Sequence, residues 1–413
     1  MSIDAAMAWR NVWRNTRRTI LTISAIAFAS LLLVFMLSFQ FGSYETMINT
    51  SVKIHTGHLQ IQAAQYHDNR NIRYVVSDLN KIAAVLEDIP QIASYTYRAQ
   101  AFSLVSSAKR TYGAMVTGID PAGETGGVSR LKSLIRKGAF LSGTDTNQAL
   151  VGSLLARNLQ VGIGDELTIL GQGHDGSIAA TVVTVKGIFN SGIDEFDRSA
   201  LQIPLKTFQN VYTMPGMAHE VVIVAHSLSD VGTIKRTVQK ALSSLVTDQR
   251  LVVLDWDELM PGLRQSIEMD LISGLIFYIL LILVVAFSIL NTFLMAIFER
   301  TKEFGVLMAI GTSPGRLTKV LLIESMTMAV IGIAAGIILG SLLTFYLQLH
   351  GFDISGSSEL LSQFGITGRI YPKLSWISAT SGPAAVLSIT FLAALYPALR
   401  VRKMKPVEAM RAA

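Results

Sequence analysis

The chain has 413 residues, of which 50% are hydrophobic and 15% charged, with a formal net charge of +6. That composition is too apolar for an ordinary water-soluble protein, and the length allows two or three domains. The chain contains no cysteine, which excludes a disulfide framework and any thiolate metal site.

Residues 1–18 read as an amphipathic helix carrying Arg10, Arg14, Arg17 and Arg18. A helix needs about 20 apolar residues to cross the hydrocarbon core. Four segments meet that length: 19–41, 271–298, 318–349 and 376–399. The first is too long for the apolar stretch of a secretory signal, and no small-x-small cleavage site follows it. The fourth is diluted by Ser378, Thr380, Ser381, Gly382 and Pro383. The second and third exceed one bilayer thickness and are expected to tilt or project.

Lys and Arg near span ends report orientation. Residues 1–18, 299–319 and 400–413 hold 13 of the 35 basic residues. Both termini and the 299–317 connection are therefore expected on the cytoplasmic side, with 42–270 and the 350–375 loop outside. The bases flank spans and form no basic domain, which argues against nucleic-acid binding.

Segment 42–270 reads as an α+β domain. Strands are expected at 58–63, 112–119, 180–189, 220–226 and 251–256, and helices at 78–86 and 229–245, the second capped by Ser229. Its candidate chemistry is weak. His55, His58 and His67 do not share a strand face, and they read as surface or structural residues rather than metal ligands. Asp194, Glu195 and Asp197 lack calcium-loop spacing and read as a solvated loop. The Gly-x-Gly of GIGDE (162–166) leads into a strand, not the helix that a dinucleotide site needs. No catalytic constellation is found, so no enzyme and no metal are expected. No phosphate-binding G-x-x-x-x-G-K-[ST] motif occurs either.

In the third span, Gly332, Gly336 and Gly340 make a double small-xxx-small pattern suited to close helix approach. Glu324 lies a few residues inside that span and is expected to pair with Arg316 or Lys319. The stretch ERTKEFGVLMAIGTSPG (299–315) reads as a short amphipathic helix. Phe304, Leu307 and Met308 form its apolar stripe, and Gly305 and Ala309 are close-packing positions. Gly311 ends it, and Ser313-Pro314 begins the next helix. Its physics fits two readings: a helix resting among headgroups, or one docking into a groove on another protein.

ERTKEFGVLMAIGTSPGRL resembles the hallmark of FtsX-like ABC transporter permeases, and YPALRVRKMKPVEAMR (396–411) resembles their closing motif. AWRNVWRNTRRTILT (8–22) is similar to their N-terminal helix. ALVGSLLARNLQVGIGDELTIL (149–170) and VKGIFNSGIDEFDRSALQIPL (185–205) resemble the lipoprotein-releasing Lol permeases and the macrolide exporter MacB. The resemblance implies a bacterial inner-membrane permease with four spans and a MacB-like periplasmic core between the first two. It implies two copies of a cytosolic, LolD-like ABC ATPase that bind ATP and Mg, and a second permease chain, either a copy or a paralogue.

Glu299, Arg300, Glu303, Gly305, Leu307, Gly311 and Ser313 would form the coupling helix that receives ATP-driven motion. The second span would carry that motion outward as a stalk. In the Lol branch, lipoprotein cargo enters between the first and second spans and passes to a periplasmic carrier. Phe35, Phe39 and Phe277 are candidates for lining that cavity. Two alternatives belong to the same family: regulation of a periplasmic cell-wall hydrolase, and drug or peptide efflux. Two departures stand out. The LGQGHDGSIAATV region is short for a carrier-recruiting hairpin, and 351–374 is longer than expected.

Overall fold

The computed structural model describes residues 3–244, 250–351 and 370–402, together with Met404 and Ala409. The chain divides into two compact units. Among the described residues, one is built from those up to Tyr44 and from Ser266 onward; the other spans Glu45–Gln265. Most of the 350–375 loop and much of the tail motif lie outside the described residues.

The first unit is helical. Its helices are Ile3–Val12, Thr16–Ser51, Pro261–Glu299, Thr301–Ala309, Pro314–His350 and Trp376–Arg402. Four of these are long and apolar enough to cross a membrane. The first, third and fourth long helices pack through Ile26, Ala29, Leu33, Met328, Ala329, Val386 and Ala394. The second is mostly unpacked within the chain: Phe277, Leu280, Val284 and Phe287 are exposed.

Small residues set the closest approach in this unit. A Cβ on Gly336 would lie 2.5 Å from Ser30 Cβ and 2.6 Å from the Ala27 carbonyl oxygen. Gly332 and Gly340 meet the same helix at Ile26 and at Leu31. The glycine row therefore faces the first long helix of its own chain, the close packing that such spacing permits.

The second unit is an α+β domain with ten strands: β1 (Leu59–Ala63), β2 (Ile92–Ser106), β3 (Thr111–Ile119), β4 (Ile135–Gly138), β5 (Gln148–Gly152), β6 (Glu166–Gln172), β7 (Ile178–Phe189), β8 (Ala200–Pro204), β9 (Glu220–Ala225) and β10 (Leu251–Asp255). Strands β10-β1-β9-β2 form an antiparallel sheet. With helices Leu79–Glu87 and Val231–Ser244 joining β1 to β2 and β9 to β10, the order is that of a split β-α-β fold. Leu59, Ile61, Val221 and Ile223 pack there against Ile82, Leu86, Ile234 and Val238.

The rest of the unit is inserted between β2 and β9. Strand β6 pairs with both β7 and β2, so β2-β3-β8-β5-β7-β6 closes into a six-stranded ring. Ala99, Ala101, Ala114, Val116, Leu167 and Ile169 fill it, as side chains fill a small barrel. Ring closure leaves no free edge between β6 and β2.

The 15-residue β2 belongs to both parts and was not among the expected strands. Its hydropathy does not alternate, because Thr96, Arg98 and Gln100 are buried alongside Ala99 and Ala101. The helix expected from Ser229 starts at Val231 after a short 3-10 turn, and Ser227, not Ser229, caps that turn by accepting the Ser229 N–H.

Candidate functional site

The helix Thr301–Ala309 is bounded by two backbone breaks. Arg300 (φ −105°) leaves the preceding long helix, and Gly311 (φ +103°) turns the chain out of the short one. The left-handed conformation favours glycine at 311. Here the Gly311 N–H donates to the Met308 carbonyl (3.1 Å) and the Thr312 N–H to the Leu307 carbonyl (3.0 Å). Ser313 is extended and Pro314 opens the next helix, but the Ser313 hydroxyl makes no capping hydrogen bond. Ser313 therefore acts there through its backbone.

The helix has two faces of different character. Phe304, Gly305 and Met308 are buried against Ile297, Leu317 and Val401, with Leu307 half-buried beside them. Lys302, Glu303, Val306, Ala309 and Ile310 are exposed, Ile310 at 78%. The stripe singled out in the sequence is thus the anchoring face. The outward surface was missed, although Lys302, Val306 and Ile310 repeat at the four-residue spacing of one helix face.

Glu299, Arg300 and Glu303 are engaged within the chain, and Lys302 is exposed. Arg14 donates to Glu303, and Arg18 Nη1 donates to Glu299 Oε2 at 3.2 Å. Arg300 joins two acids, donating from Nε to Glu303 Oε2 (3.3 Å) and from Nη1 to Glu324 Oε2 (3.3 Å). The Arg14 hydrogen bond holds the Glu303 carboxyl below the usual carboxylate range. Exposed pairs such as Arg14–Glu303 are worth about 1 kcal/mol at most. They tie the N-terminal segment to the short helix and to the end of the helix before it.

Glu324, 5% exposed, does not pair with Arg316 or Lys319 as expected. Those two bases meet Asp4, at 2.9 and 3.6 Å. Lys319 lies five residues from Glu324, about 140° around the helix, and faces another way. Arg300 instead supplies the counter-charge that a buried carboxylate needs.

Phe35 and Phe39 lie together, ring centroids 6.0 Å apart, and Phe277 is exposed.

Of the groups marked by the sequence in the second unit, Asp194 and Glu195 are exposed, whereas Asp165, Asp197 and His58 are structural. The loop 162–165 is a turn in which Asp165 accepts the Gly162 N–H. Asp197 is buried, not solvated: its carboxylate accepts the Ser191 N–H and hydroxyl and so pins the 190–193 loop. Asp255, Asp257 and Glu258 converge, but Lys235 Nζ bridges Asp255 (3.0 Å) and Glu258 (2.5 Å) and Arg264 meets Asp257 (3.5 Å), so each carboxylate already has a cationic partner. His58 Nδ1 accepts the Ala225 N–H (3.1 Å) and its Nε2 faces Asn49 Oδ1 (2.9 Å). His219 repeats the arrangement between the Gln100 N–H (2.8 Å) and the Ile72 carbonyl (3.0 Å), stacked on Tyr66.

Both rings must stay neutral to accept a backbone N–H. Burial lowers both pKa values from 6.5 to about 4. A base with a depressed folded pKa stabilises the fold above its unfolded pKa. That stability drains away as pH falls from 6.5 towards 4, by about 3 kcal/mol per histidine. Protection factors over residues 45–265 of the intact protein, taken relative to the intrinsic exchange rate at each pH, should therefore fall as pH drops from about 7 to about 5. Substituting Gln for both histidines should flatten that dependence; a profile unchanged by the substitutions would show that other groups set it.

A family model described as FtsX-like permease C-terminal matches residues 275–406, and one described as MacB-like periplasmic core domain matches residues 19–241. The chain is 26% identical over 309 residues to the lipoprotein-releasing system transmembrane protein LolC of Xylella fastidiosa, covering 72% of this chain and 73% of that one. It is 22% identical over 335 residues to LolE of the same system in Haemophilus influenzae, covering 79% of each. The solved periplasmic region of MacB from Actinobacillus actinomycetemcomitans aligns over 53% of this chain and 94% of that one, with 15% identity and a TM-score of 0.39.

Proposed function

Since the chain belongs to the FtsX-like ABC transporter permeases that carry a MacB-like periplasmic core domain, we propose that it moves lipoproteins, or other lipid-linked cargo, out of the inner membrane by mechanotransmission. The observation that carries this reading is the similarity to LolC and LolE, which takes in about three quarters of both chains. The permease itself is a non-catalytic subunit. Two copies of a cytosolic ABC ATPase hold ATP and Mg, and a second permease chain completes the complex. The distribution of Lys and Arg supports cytoplasmic termini.

The helix Thr301–Ala309 is the coupling helix. Its outward face, Lys302, Val306, Ala309 and Ile310, meets the ATPase, with Glu303 at its edge. A small apolar tip within a polar, charged rim has the anatomy of a protein interface. Glu299, Arg300, Glu303 and Glu324 transmit the motion inward through ion pairs to the N-terminal segment and the third long helix. Gly305, Gly311 and Ser313 keep the short helix close to its neighbours and set its ends. Phe35, Phe39 and Phe277 line the cargo path in this reading, and a periplasmic carrier receives the cargo.

Depleting the protein and separating inner from outer membranes is the direct test. Lipoproteins should accumulate in the inner membrane; normal sorting would remove lipoproteins as the cargo.

A further inference from the structure

A cavity of about 140 Å³ lies between the N-terminal helix, the helix Thr301–Ala309 and the first turns of the third long helix. Its polar lining is Asn11, Arg300, Thr312 and Arg316. Arg300 uses Nε and Nη1 on Glu303 and Glu324, and Arg316 uses Nε on Asp4. A guanidinium has five N–H donors. Among the described residues, Nη2 of Arg300 and both Nη atoms of Arg316 have no protein acceptor. Among the described residues, the Asn11 side-chain amide and the Thr312 hydroxyl likewise make no hydrogen bond to the protein. The remaining wall is apolar, with Met7, Leu317, Val320 and Leu321.

This donor set suits an anion, and the apolar wall suits a chain attached to it. The cavity adjoins the start of an apolar span. On the neighbouring N-terminal segment Trp9 and Trp13 are exposed, their rings edge to face at 6.0 Å. Paired tryptophans beside bases mark the level of the headgroups, and basic pockets between membrane helices recognise anionic lipid heads. We propose that this cavity binds an anionic phospholipid of the adjoining leaflet. The phosphate accepts from Arg300, Arg316, Asn11 and Thr312, and the first chain methylenes lie against Leu317, Val320 and Leu321. Such a lipid also touches Phe304 and Leu307 and so steadies the short helix.

The test titrates the intact purified protein with phosphatidylglycerol, phosphatidylcholine or inorganic phosphate and reads retained ligand by native mass spectrometry. Phosphatidylglycerol should bind most tightly. Combining Asn11→Leu with Thr312→Val should weaken it about tenfold, as expected for two lost hydrogen bonds. Met7→Trp, which fills the cavity and leaves every ion pair alone, should weaken it as much. Arg17→Gln, at an exposed base outside the cavity, should change nothing. Equal retention of the two lipids, unchanged affinity in both cavity variants, or an equal loss in Arg17→Gln would overturn the proposal. Binding of inorganic phosphate as tight as that of the lipid would overturn it too, because it would show an anion site with no use for the chain.

Discussion

Ile310→Asp should abolish co-purification of the ATPase while leaving the permease folded. Ile310 is 78% exposed at the end of the short helix and lies outside the buried cluster of that region. A charge there costs the fold little. At the centre of an interface it costs a hot-spot contact and buries an unpaired carboxylate, about 3 kcal/mol or more, which is roughly a hundredfold in affinity. Glu303→Lys should also weaken docking, but by a second route. It places a third cation beside Arg14 and Arg300 and detaches the N-terminal segment from the short helix. The two variants therefore separate docking from positioning. Ile310→Asp should leave the thermal midpoint unchanged, whereas Glu303→Lys should lower it by about a degree or two, as loss of an exposed pair predicts. Normal ATPase retention with normal turnover in Ile310→Asp would sink the docking role of this face.

The largest stability effect is expected at Arg98. Its guanidinium meets Glu124 in a bidentate pair, Nε to Oε1 at 2.6 Å and Nη2 to Oε2 at 2.8 Å, with both side chains almost fully buried. Glu220, also buried, stands opposite Arg98 on β9, and burial pushes its carboxyl up. Arg98→Ala would leave two buried acids without their base and should cost about 3–5 kcal/mol. Hydrogen exchange of residues 45–265 should rise accordingly, with the helical unit unaffected. Replacing the pair together, Arg98→Met with Glu124→Gln, should recover much of the loss, since the penalty comes from the stranded charge. A single Arg98→Ala variant that exchanges like the parent would show that water reaches Glu124.

The four apolar helices and the α+β insert were legible in the sequence because their signals are local. Apolar run length reports a span, and alternation reports a half-buried strand. The end of the short helix was legible for the same reason: Gly311 needs a positive φ that glycine alone adopts cheaply.

What only the tertiary structure decided depends on residues far apart in the chain. The outward face of Thr301–Ala309 is defined by what covers its other side, Val401 about a hundred residues later. Arg300 reached Glu324 because the chain turns back after Gly311, which carries the third long helix past the end of the second. The β6–β2 pairing closes a ring between residues more than sixty positions apart, and β2 itself hid behind buried polar side chains. Pattern reading scores each residue by its own hydropathy. A buried Arg98 or an inward Phe304 takes its meaning from the partner opposite, and that partner is brought there by the fold.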